Sequence, residues 1–476
     1  MSNETGIQGA QISSLNGVRK VYFIGIGGIG MSAIARYFHS KGIEVSGYDK
    51  TETELTKQLE EEGISIRYTE DVNIIPKEVD LVAYTPAMPN DHAELVYYRN
   101  HGYKVVKRSD VLQAISADSF NICIAGTHGK TTITTMIAHI LRDSGYGCNA
   151  FLGGISVNYG TNFWSSVNNV CVIEADEYDR SFLKLTPNVA VITAMDADHL
   201  DIYGDEKTMQ DGFVAFGNKI REEGLLVSKF GLKRIKEVAV RRKITYSLQN
   251  RSADVFAENL KIVEGGYTYD VNGKVALSNV ELRVGGMHNV ENSLVAMAVA
   301  MELGIEPEKV KVAVADFRGV KRRFEYVIAP QKKLQGAYVE PVMIDDYAHH
   351  PEELRALLNS VRSLFPQRIV TVVFQPHLFT RTRDLADGFA DSLSIADRVI
   401  LLPIYPAREL PIEGVTSEMI LTKVESDEKM IMTKEEFLDW TKAHELNKEF
   451  GEVMVMAGAG DIDGLIQPVK DIIEKK

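Results

Sequence analysis

Short apolar runs alternate along this chain with longer stretches in which apolar residues recur every three or four positions. The run KVYFI is followed by a glycine-rich turn and by the helical pattern IGMSAIARYF, and the same order returns at FNICIAGTHGKTT. Strand-length apolar runs that alternate with helical patterns are typical of parallel sheets with crossover helices. The pattern therefore predicts an α/β protein.

The same rhythm divides the chain into three predicted domains. Residues 1–118 form a Rossmann-like α/β block, residues 119–325 a second α/β block, and residues 326–476 a third, again Rossmann-like. In the third block MIDDYAHH is a predicted strand and PEELRALLNSVRSLF a helix with proline in its first turn. Three domains also suit a chain of 476 residues, because a single hydrophobic core rarely grows that large.

The second block carries a β-rich elaboration. Between about residues 224 and 285 helical periodicity gives way to β-type alternation. The stretch GYTYDVNGKVALSNVEL predicts a hairpin whose turn contains Asn272 and Gly273, because an Asn-Gly pair favours tight hairpin turns.

Charge and cysteine content narrow the class of protein. The net charge of −13 argues against nucleic acid or an anionic membrane as the main partner, since both attract basic surfaces. Cys123, Cys148 and Cys171 have the spacing of neither a zinc site nor a disulfide framework. No apolar run approaches the ~18 residues of a membrane span, and the N-terminus has no apolar signal core. We therefore expect a cytoplasmic protein without a membrane span.

The strongest chemical signal is the run GTHGKTT between a predicted buried strand and a predicted helix. Glycines let backbone N–H groups approach phosphate oxygens, Lys130 can reach terminal phosphates, and Thr131 can bind Mg²⁺. A strict Walker sequence would place glycine at Ile124, so the match is close but incomplete. The alternative is a glycine turn with an incidental Lys-Thr pair. The predicted phosphate-binding residues are Gly126, Thr127, His128, Gly129, Lys130, Thr131 and Thr132.

Acidic residues follow the next two predicted strands of the second block. Glu174 ends one strand, and His199 lies just after the other. Carboxyl ends of parallel strands line the ligand crevice of open α/β sheets, so both residues join Thr131 as candidate metal ligands. For the neighbouring Asp176 and Glu177, and for Asp179, a solvated acidic loop is an equally good interpretation.

The first block has a glycine loop of its own. Gly25, Gly27 and Gly30 fit the pattern G-x-G-x-x-G, and Asp49 closes the next strand near the spacing expected for an acid on a ribose. Alone, this pattern permits NAD, FAD or another nucleotide, or a tight turn without a ligand. A second, triphosphate-type loop in the same chain argues against a dehydrogenase.

Taken together, these motifs resemble the Mur ligases of peptidoglycan synthesis from about residue 19 to residue 464. The resemblance rests on further blocks in the family's order: EADEYDRSFL, DADHLDIYGD, GMHNVENSLVA, FRGVKRRFE, DDYAHHPEE, FQPHLFTRTRD and AGAGDI. The first glycine loop and the pair DDYAHHP and FQPH look like those of the members that add L-alanine.

The resemblance implies a P-loop-type ATPase as the central domain, with ATP and Mg²⁺ as cofactors and UDP-N-acetylmuramate and L-alanine as substrates. Lys130, His199, Arg323 and His349 would be catalytic. His288, Asn289, Asn292, Arg323 and Asp346 would join the phosphate loop around ATP. The UDP-sugar would be bound by Gly25, Gly27, Gly28, Ile29, Gly30, Asp49 and Thr85, and the amino acid by Tyr347, His349, His377 and Arg381.

Two positions depart from the wider family pattern. Other Mur ligases carry a carbamylated lysine shortly after the DHLD block, where this chain offers Phe213 or its neighbours. The alanine-adding members are expected to lack that lysine as well, so this departure supports the assignment. The residue after FQPH is often basic but is Leu378 here, which leaves Arg381 and Arg383 to supply positive charge.

The implied activity is ATP-dependent amide formation through an acyl phosphate, by a monomer or a homodimer. One alternative within the family is the recycling ligase that attaches a whole tripeptide to the same sugar. Another, from a different class, is a nucleotide-binding regulator with a vestigial ATPase. The presence of Lys130, Thr131, Glu174 and His199 argues against that regulator.

Overall fold

A computed structural model describes residues 15–196, 200–331, 339–407 and 409–476. The chain forms two compact units. The first unit comprises residues 1–256, 273–275 and 292–313, and the second comprises residues 257–272, 276–291 and 314–476.

The first unit opens with a parallel sheet at whose centre the glycine loop begins. Its strands are β1 (Lys20–Ile24), β2 (Glu44–Tyr48), β3 (Ser65–Arg67), β4 (Leu81–Tyr84) and β5 (Val105–Lys107). Its helices are α1 (Ile29–Ser40), α2 (Glu54–Glu61), α3 (Ala93–Asn100) and α4 (Arg108–Ser116). The order β3-β2-β1-β4-β5 reverses direction at β1, and such a switch point is where open α/β sheets bind ligands.

A second, mainly parallel sheet of the same unit carries the phosphate loop. Its strands are β6 (Phe120–Ala125), β7 (Asn149–Phe151), β8 (Phe163–Trp164), β9 (Val170–Glu174), β10 (Val189–Ile192), β11 (Leu225–Lys229) and β12 (Arg242–Ser247). Its helices are α5 (Lys130–Asp143), α6 (Leu200–Tyr203) and α7 (Glu206–Gly217). The strand order β12-β11-β10-β6-β9-β7-β8 places β9 and β10 on either side of β6, so their carboxyl ends flank the loop that follows β6.

Buried contacts join these two α/β blocks within the first unit. One cluster of buried apolar side chains includes Phe38 of α1, Phe151 of β7 and Phe213 of α7. Asn162 is fully buried, donates to the carbonyl of Ile29 at 2.6 Å and accepts from Arg36 at 2.5 Å. Apolar burial and satisfied buried polar groups both oppose separation of the blocks.

The β-rich elaboration is a meander followed by helices. Its elements are β13 (Val255–Val263), β14 (Gly266–Gly273), β15 (Leu277–Leu282), α8 (Met287–Glu302) and α9 (Pro307–Asp316). Strands β14 and β15 pair antiparallel, which confirms the predicted hairpin. The innermost pair of the hairpin is Val271 with Leu277, so the connection is longer than a two-residue turn. Gly273 lies in this connection and adopts φ +102°.

The second unit contains the third sheet. Its strands are β16 (Glu325–Ile328), β17 (Val342–Asp346), β18 (Ile369–Phe374), β19 (Arg398–Leu401), β20 (Glu428–Ile431) and β21 (Glu452–Ala457). Its helices are α10 (Pro351–Leu364), α11 (Phe379–Leu393), α12 (Glu418–Leu421), α13 (Lys434–Ala443) and α14 (Ile466–Ile473). The order is β16-β17-β21-β18-β19-β20, with only β16 antiparallel to its neighbour among these described strands.

Helix α10 illustrates why these segments are helical. His350 caps its first turn together with Glu353, and Pro351 occupies a position where its missing N–H costs nothing. Leu354, Leu358 and Val361 recur at helical spacing and are all fully buried. This stripe gives the helix one apolar face to pack against the sheet.

The predicted α/β class with three sheet-containing blocks is confirmed, and the domain boundaries at residues 118 and 325 stay a prediction. Two short strands of the first sheet, β3 and β5, were not predicted from the sequence. Three residues each are too few to show a period of their own. In the part of the chain that the structure describes, no helix combines the length and the apolar character needed to span a membrane.

Candidate active site

The phosphate loop requires glycine at both of its ends. Gly126 adopts φ +126°, and a Cβ there would lie 2.1 Å from the hydroxyl oxygen of Thr193 on the strand β10 side. Gly129 adopts φ +80°, and its Cβ would lie 2.9 Å from Oδ1 of Asn292. Both conformations are left-handed, where only glycine is unstrained. The loop therefore lies directly against its neighbours, and the α5 N-terminus that follows it has the free N–H groups and partial positive charge that favour an anion.

Lys130 is held by Glu177, for which the sequence favoured a functional role and a solvated loop equally. Its ammonium donates to Oε1 of Glu177 at 2.6 Å and to the carbonyl of Gly126 at 2.8 Å. Glu177 is completely buried, so it does not belong to a solvated acidic loop. Burial raises the pKa of this carboxyl, and Lys130 acts in the opposite direction. The pair keeps the lysine at the loop, where it can meet a phosphate.

Thr131 and Glu174 lie together, as predicted for a metal site. The threonine hydroxyl donates to Oε1 of Glu174 at 3.1 Å. A Cβ at Gly153 would lie 2.1 Å from the other oxygen of Glu174, so glycine leaves room around this carboxylate. His199, the third predicted ligand, lies outside the described residues.

These two oxygen ligands fit Mg²⁺ better than a metal that needs a complete protein cage. Among the described residues, no group of three or more His, Cys, Asp or Glu side chains forms a metal-binding cluster. Mg²⁺ is commonly held by one or two protein oxygens together with water and substrate phosphates. A hydroxyl and a carboxylate beside a phosphate loop match that donor set.

His128 and Thr127, the central residues of the phosphate loop, differ in exposure. His128 is largely exposed, with Nε2 at 3.6 Å from a carboxylate oxygen of Asp196. The hydroxyl of Thr127 is buried and has no hydrogen-bond partner in the structure, while its backbone N–H donates to the carbonyl of Ala194 at 3.3 Å. Thr132 is buried in the first turn of α5.

The predicted adenine residues His288, Asn289 and Asn292 lie in the first two turns of α8. Asn292, which approaches Gly129, belongs to the first unit, whereas His288 and Asn289 belong to the second. Asn289 is buried and donates to the carbonyl of Gly285 at 2.7 Å. Burial lowers the pKa of His288, and the charge of Arg323 lowers it further. Adenine binding by these residues stays a prediction.

The segment around Arg323 has a strained backbone. Arg322 and Phe324 both adopt positive φ, at +60° and +49°, which is uncommon for residues with side chains. Asp346 stabilises this turn, because its oxygens accept from the N–H of Phe324 at 2.7 Å and from that of Ala348 at 2.8 Å. Burial raises the pKa of Asp346 to about 6. The structure thus gives Asp346 a role in shaping the Arg323 segment, and its contact with ATP stays a prediction.

The first glycine loop has different surroundings. The N–H groups of Gly25 and Ile26 donate to the carbonyl of Tyr48, and the N–H of Gly27 donates to Asp49 at 2.8 Å. A Cβ at Gly25 would lie 2.5 Å from Thr85. The predicted residues of this site are therefore brought together at the switch point of the first sheet. Gly28 and Ile29 lie at the boundary between the loop and α1, and Gly30 lies in its first turn.

In the second unit the aromatic rings of three residues predicted to bind the amino acid lie close together. The rings of Tyr347 and His349 are 5.0 Å apart, and those of His349 and His377 are 6.0 Å apart. Nδ1 of His377 and Nη1 of Arg381 are buried without a hydrogen-bond partner in the structure. Such atoms are costly to bury unless a ligand pairs with them. Burial lowers the pKa of His377, and Arg381 and His349 lower it further, which favours the neutral imidazole at pH 7.

Tyr405, which was not predicted from the sequence, also belongs to this cluster. Its ring stacks on His377 at 5.8 Å, and its carbonyl accepts from the N–H of Leu378. Tyr405 follows β19, so the rule that strand carboxyl ends line ligand sites could have found it. Leu378 itself has φ +69°, and Arg383 pairs with the adjacent Asp384 at 2.7 Å, so Arg383 is an outward surface residue.

Phe213, which the sequence offers at or near the position of the family's expected lysine, is part of the apolar core. It is completely buried, and its ring lies 5.5 Å from that of Phe182. Replacing it with a lysine would bury an amine among aromatic rings, which is strongly unfavourable.

Comparisons with known proteins point to one family. Three family models match in order: "Mur ligase family, catalytic domain" at residues 20–120, "Mur ligase middle domain" at residues 124–300, and "Mur ligase, glutamate ligase domain" at residues 322–460. The chain is 47% identical over 472 residues to a UDP-N-acetylmuramate–L-alanine ligase of Parabacteroides distasonis, covering 97% of this chain and 99% of the relative. It is 44% identical to the protein of the same name in Cytophaga hutchinsonii, over 97% of this chain and 98% of the relative.

Two solved structures are also similar. The UDP-N-acetylmuramate-alanine ligase of Thermotoga maritima superposes with a TM-score of 0.78 at 28% identity, over 96% of this chain and 98% of the other. A murein peptide ligase of Psychrobacter arcticus superposes with a TM-score of 0.65 at 22% identity, over 96% and 99% of the two chains. At that identity the second match shows a shared fold alone.

Proposed function

This chain belongs to the Mur ligase family, and from that premise we propose that it joins L-alanine to the carboxylate of UDP-N-acetylmuramate with conversion of ATP to ADP and phosphate. The observation that carries the proposal is the constellation of Lys130, Thr131 and Glu174 at one phosphate loop. Relatives of that name at 44–47% identity over nearly the whole chain support the choice of substrates.

The reaction begins with a carboxylate, which is a poor electrophile. A carboxylate oxygen of the sugar attacks the γ-phosphorus of ATP, ADP leaves, and an acyl phosphate forms. The amine of L-alanine then attacks the acyl carbon, and phosphate leaves with one former carboxylate oxygen. Since no protein nucleophile is needed, catalysis consists of positioning and of neutralising charge on the transferred phosphoryl group.

The chain's own residues supply that neutralisation. Lys130 would move its ammonium from Glu177 and the Gly126 carbonyl onto the β- and γ-phosphates, while the α5 N-terminus binds their oxygens. Thr131, Glu174 and His199 would hold Mg²⁺, which when bound would neutralise phosphate charge. Arg323 would add a further positive charge, directed by its strained turn.

The cluster around His377 suits an amino acid. Arg381 would bind the substrate carboxylate, because a guanidinium pairs with a carboxylate through two parallel hydrogen bonds. His349, beside the neutral His377, would accept the proton that the substrate ammonium must lose before attack. Tyr347 and Tyr405 would limit the side-chain space to a methyl group.

We place the enzyme in the cytoplasm, where ATP and nucleotide-sugars are available. Cys123, Cys148 and Cys171 are all buried and free, as expected of a protein that does not rely on disulfides. A monomer or a homodimer remains the predicted assembly.

The direct test is ADP release with ATP, Mg²⁺, UDP-N-acetylmuramate and each common amino acid, with the tripeptide L-Ala-γ-D-Glu-meso-diaminopimelate as an additional acceptor. We expect L-alanine to give the highest kcat/KM, glycine and L-serine to be poor substrates, and L-leucine to be inactive, because one methyl group provides only about 1–3 kcal/mol of discrimination whereas steric exclusion provides more. Preference for the tripeptide would identify the recycling activity instead. ADP release that ignores all acceptors would contradict the proposal.

A further inference from the structure

A cleft in the first unit connects the first glycine loop with Glu174, the predicted metal ligand beside the phosphate loop. It has a volume of about 100 Å³ and lies between α1, α4 and the end of β9. Its walls include Gly30, Arg108, Leu112, Gly153, Glu174 and Asp176. The cleft thus runs from the predicted UDP-sugar site to Glu174, which is the direction that a substrate carboxylate must take to meet the γ-phosphate.

Arg108 reaches across this cleft from the first residue of α4. A Cβ at Gly30 would lie 2.2 Å from Nη1 of Arg108, so the guanidinium lies directly on the first turn of α1. On the other side Nη2 is 3.6 Å from a carboxylate oxygen of Asp176, which is longer than a hydrogen bond. The arginine side chain is only 23% exposed. One guanidinium is therefore held between the two predicted ligand sites.

The charge around the cleft makes this arginine distinctive. The chain carries a net charge of −13, and Glu174 and Asp176 add two carboxylates to the cleft wall. An anionic substrate that enters the cleft would be repelled by these carboxylates unless a cation faced it. Among the lining residues, all of which the structure describes, Arg108 is the basic one.

We propose that Arg108 is a binding residue for an oxyanion of the nucleotide-sugar substrate, at the point where that substrate passes from the glycine loop to the phosphate loop. This inference rests on the proposed function, because it takes UDP-N-acetylmuramate as the ligand. That ligand offers oxyanions from two sources, the pyrophosphate and the lactyl carboxylate. Both pair with a guanidinium through charge-assisted hydrogen bonds, often two at once.

A purely structural role for Arg108 makes a different prediction. As an ion pair with Asp176, it could simply link the first α/β block to the second. A matched link exists beside it: Lys184 donates to Asp110 at 2.5 Å and to Ser109 at 3.0 Å. Asp110 lies in the same helix as Arg108, and Lys184 is outside the cleft. Lys184→Ala therefore removes an inter-block link without removing a cleft cation.

The first experiment compares steady-state kinetics of the full-length wild type with Arg108→Ala, Arg108→Lys and Lys184→Ala. Arg108→Ala should raise KM for UDP-N-acetylmuramate at least about tenfold while KM for ATP and for L-alanine change less than about twofold. Arg108→Lys should recover part of the loss, because it retains the charge but not the fork of donors. Lys184→Ala should resemble the wild type in all three KM values.

The second experiment identifies the oxyanion by calorimetric titration of the same proteins with UDP, UDP-N-acetylglucosamine and UDP-N-acetylmuramate. Weaker binding of all three ligands to Arg108→Ala assigns the pyrophosphate. Weaker binding of UDP-N-acetylmuramate alone assigns the carboxylate, because UDP-N-acetylglucosamine lacks it. Either result supports the inference.

Unchanged binding of all three ligands to a folded Arg108→Ala would overturn the inference. Equal increases in all three KM values, with the same pattern and a lower Tm in Lys184→Ala, would also overturn it in favour of a structural link. If Arg108→Ala fails to fold, the Arg108→Lys kinetics decide. A wild-type enzyme that neither binds nor uses UDP-N-acetylmuramate would instead contradict the proposed function.

Discussion

The two glycine loops of the first unit share a backbone design and differ in the chemistry around it. Each connects the end of a central parallel strand to the start of a helix, β1 to α1 and β6 to α5. Each begins with a glycine at positive φ, Gly25 at +84° and Gly126 at +126°. Each of these glycines lies against a threonine from a neighbouring strand end, Thr85 or Thr193. The backbone alone would not distinguish their ligands.

The side chains around the loops do distinguish them. At the first loop the N–H of Gly27 is already occupied by Asp49, an acid suited to sugar hydroxyls. At the second loop Lys130 and Thr131 begin the helix itself, and Glu174 and Glu177 reach them from the β9 side. The comparison teaches that a glycine loop provides the anion site, whereas neighbouring strand ends determine which nucleotide and metal it can hold.

Replacing Lys130 should impair the phosphoryl transfer at the second loop and leave ligand binding at the first loop unaffected. Lys130→Ala should lower kcat by about a thousandfold, because loss of one preorganised charge at a transferring phosphoryl group costs several kcal/mol. Calorimetry should show unchanged binding of UDP-N-acetylmuramate, since the first loop is untouched. As a control, Lys41→Ala, at the end of α1, should retain wild-type turnover. Near-normal turnover of Lys130→Ala would contradict the assignment of the second loop.

Glu174, at the end of β9, should determine how much Mg²⁺ the second loop requires, whereas the first loop should not depend on it. Glu174→Ala should raise the Mg²⁺ concentration needed for half-maximal activity about a hundredfold, because it removes a hard oxygen ligand. Binding of UDP-N-acetylmuramate in the absence of Mg²⁺ should be unchanged. Glu222→Ala, a highly exposed acid, is the matched control. An unchanged Mg²⁺ titration in Glu174→Ala would refute the metal site.

The predicted amino-acid site lies outside both loops, so a substitution there should affect the KM for L-alanine independently of the KM for ATP. Arg381→Ala should raise KM for L-alanine about fiftyfold and KM for ATP little, because a charge-assisted bidentate contact contributes about 2–3 kcal/mol. Arg383→Ala, which alters an outward ion pair two residues away, should leave both values near those of the wild type. Equal increases in both KM values would move Arg381 into the nucleotide site.

The smallest effect should come from the acid at the first loop. Asp49→Asn keeps an oxygen for the Gly27 N–H but removes the charge. We expect KM for UDP-N-acetylmuramate to rise about fivefold, as for a weakened hydrogen bond to a charged group, with KM for ATP unchanged. A larger effect on ATP than on the nucleotide-sugar would reverse the roles of the two loops.

Local patterns were enough to predict both loops, because each is encoded by consecutive residues between a strand and a helix. The placement of Glu174 also followed from the rule for strand carboxyl ends. Glu177, Arg108 and Tyr405 were harder to predict, since their roles depend on burial or on partners distant in the chain. The structural role of Asp346 could not be predicted either, because it accepts hydrogen bonds from two backbone N–H groups that depend on the strained turn at Arg323.

The central claim is that the phosphate loop transfers a phosphoryl group to the carboxylate of the nucleotide-sugar. The most direct measurement uses UDP-N-acetylmuramate labelled with ¹⁸O in that carboxylate, with ATP and L-alanine, followed by mass spectrometry of the released phosphate. Because phosphate leaves with a former carboxylate oxygen, each phosphate should carry one label when the carboxylate is fully labelled. Unlabelled phosphate, or label found in AMP with release of pyrophosphate, would contradict the account.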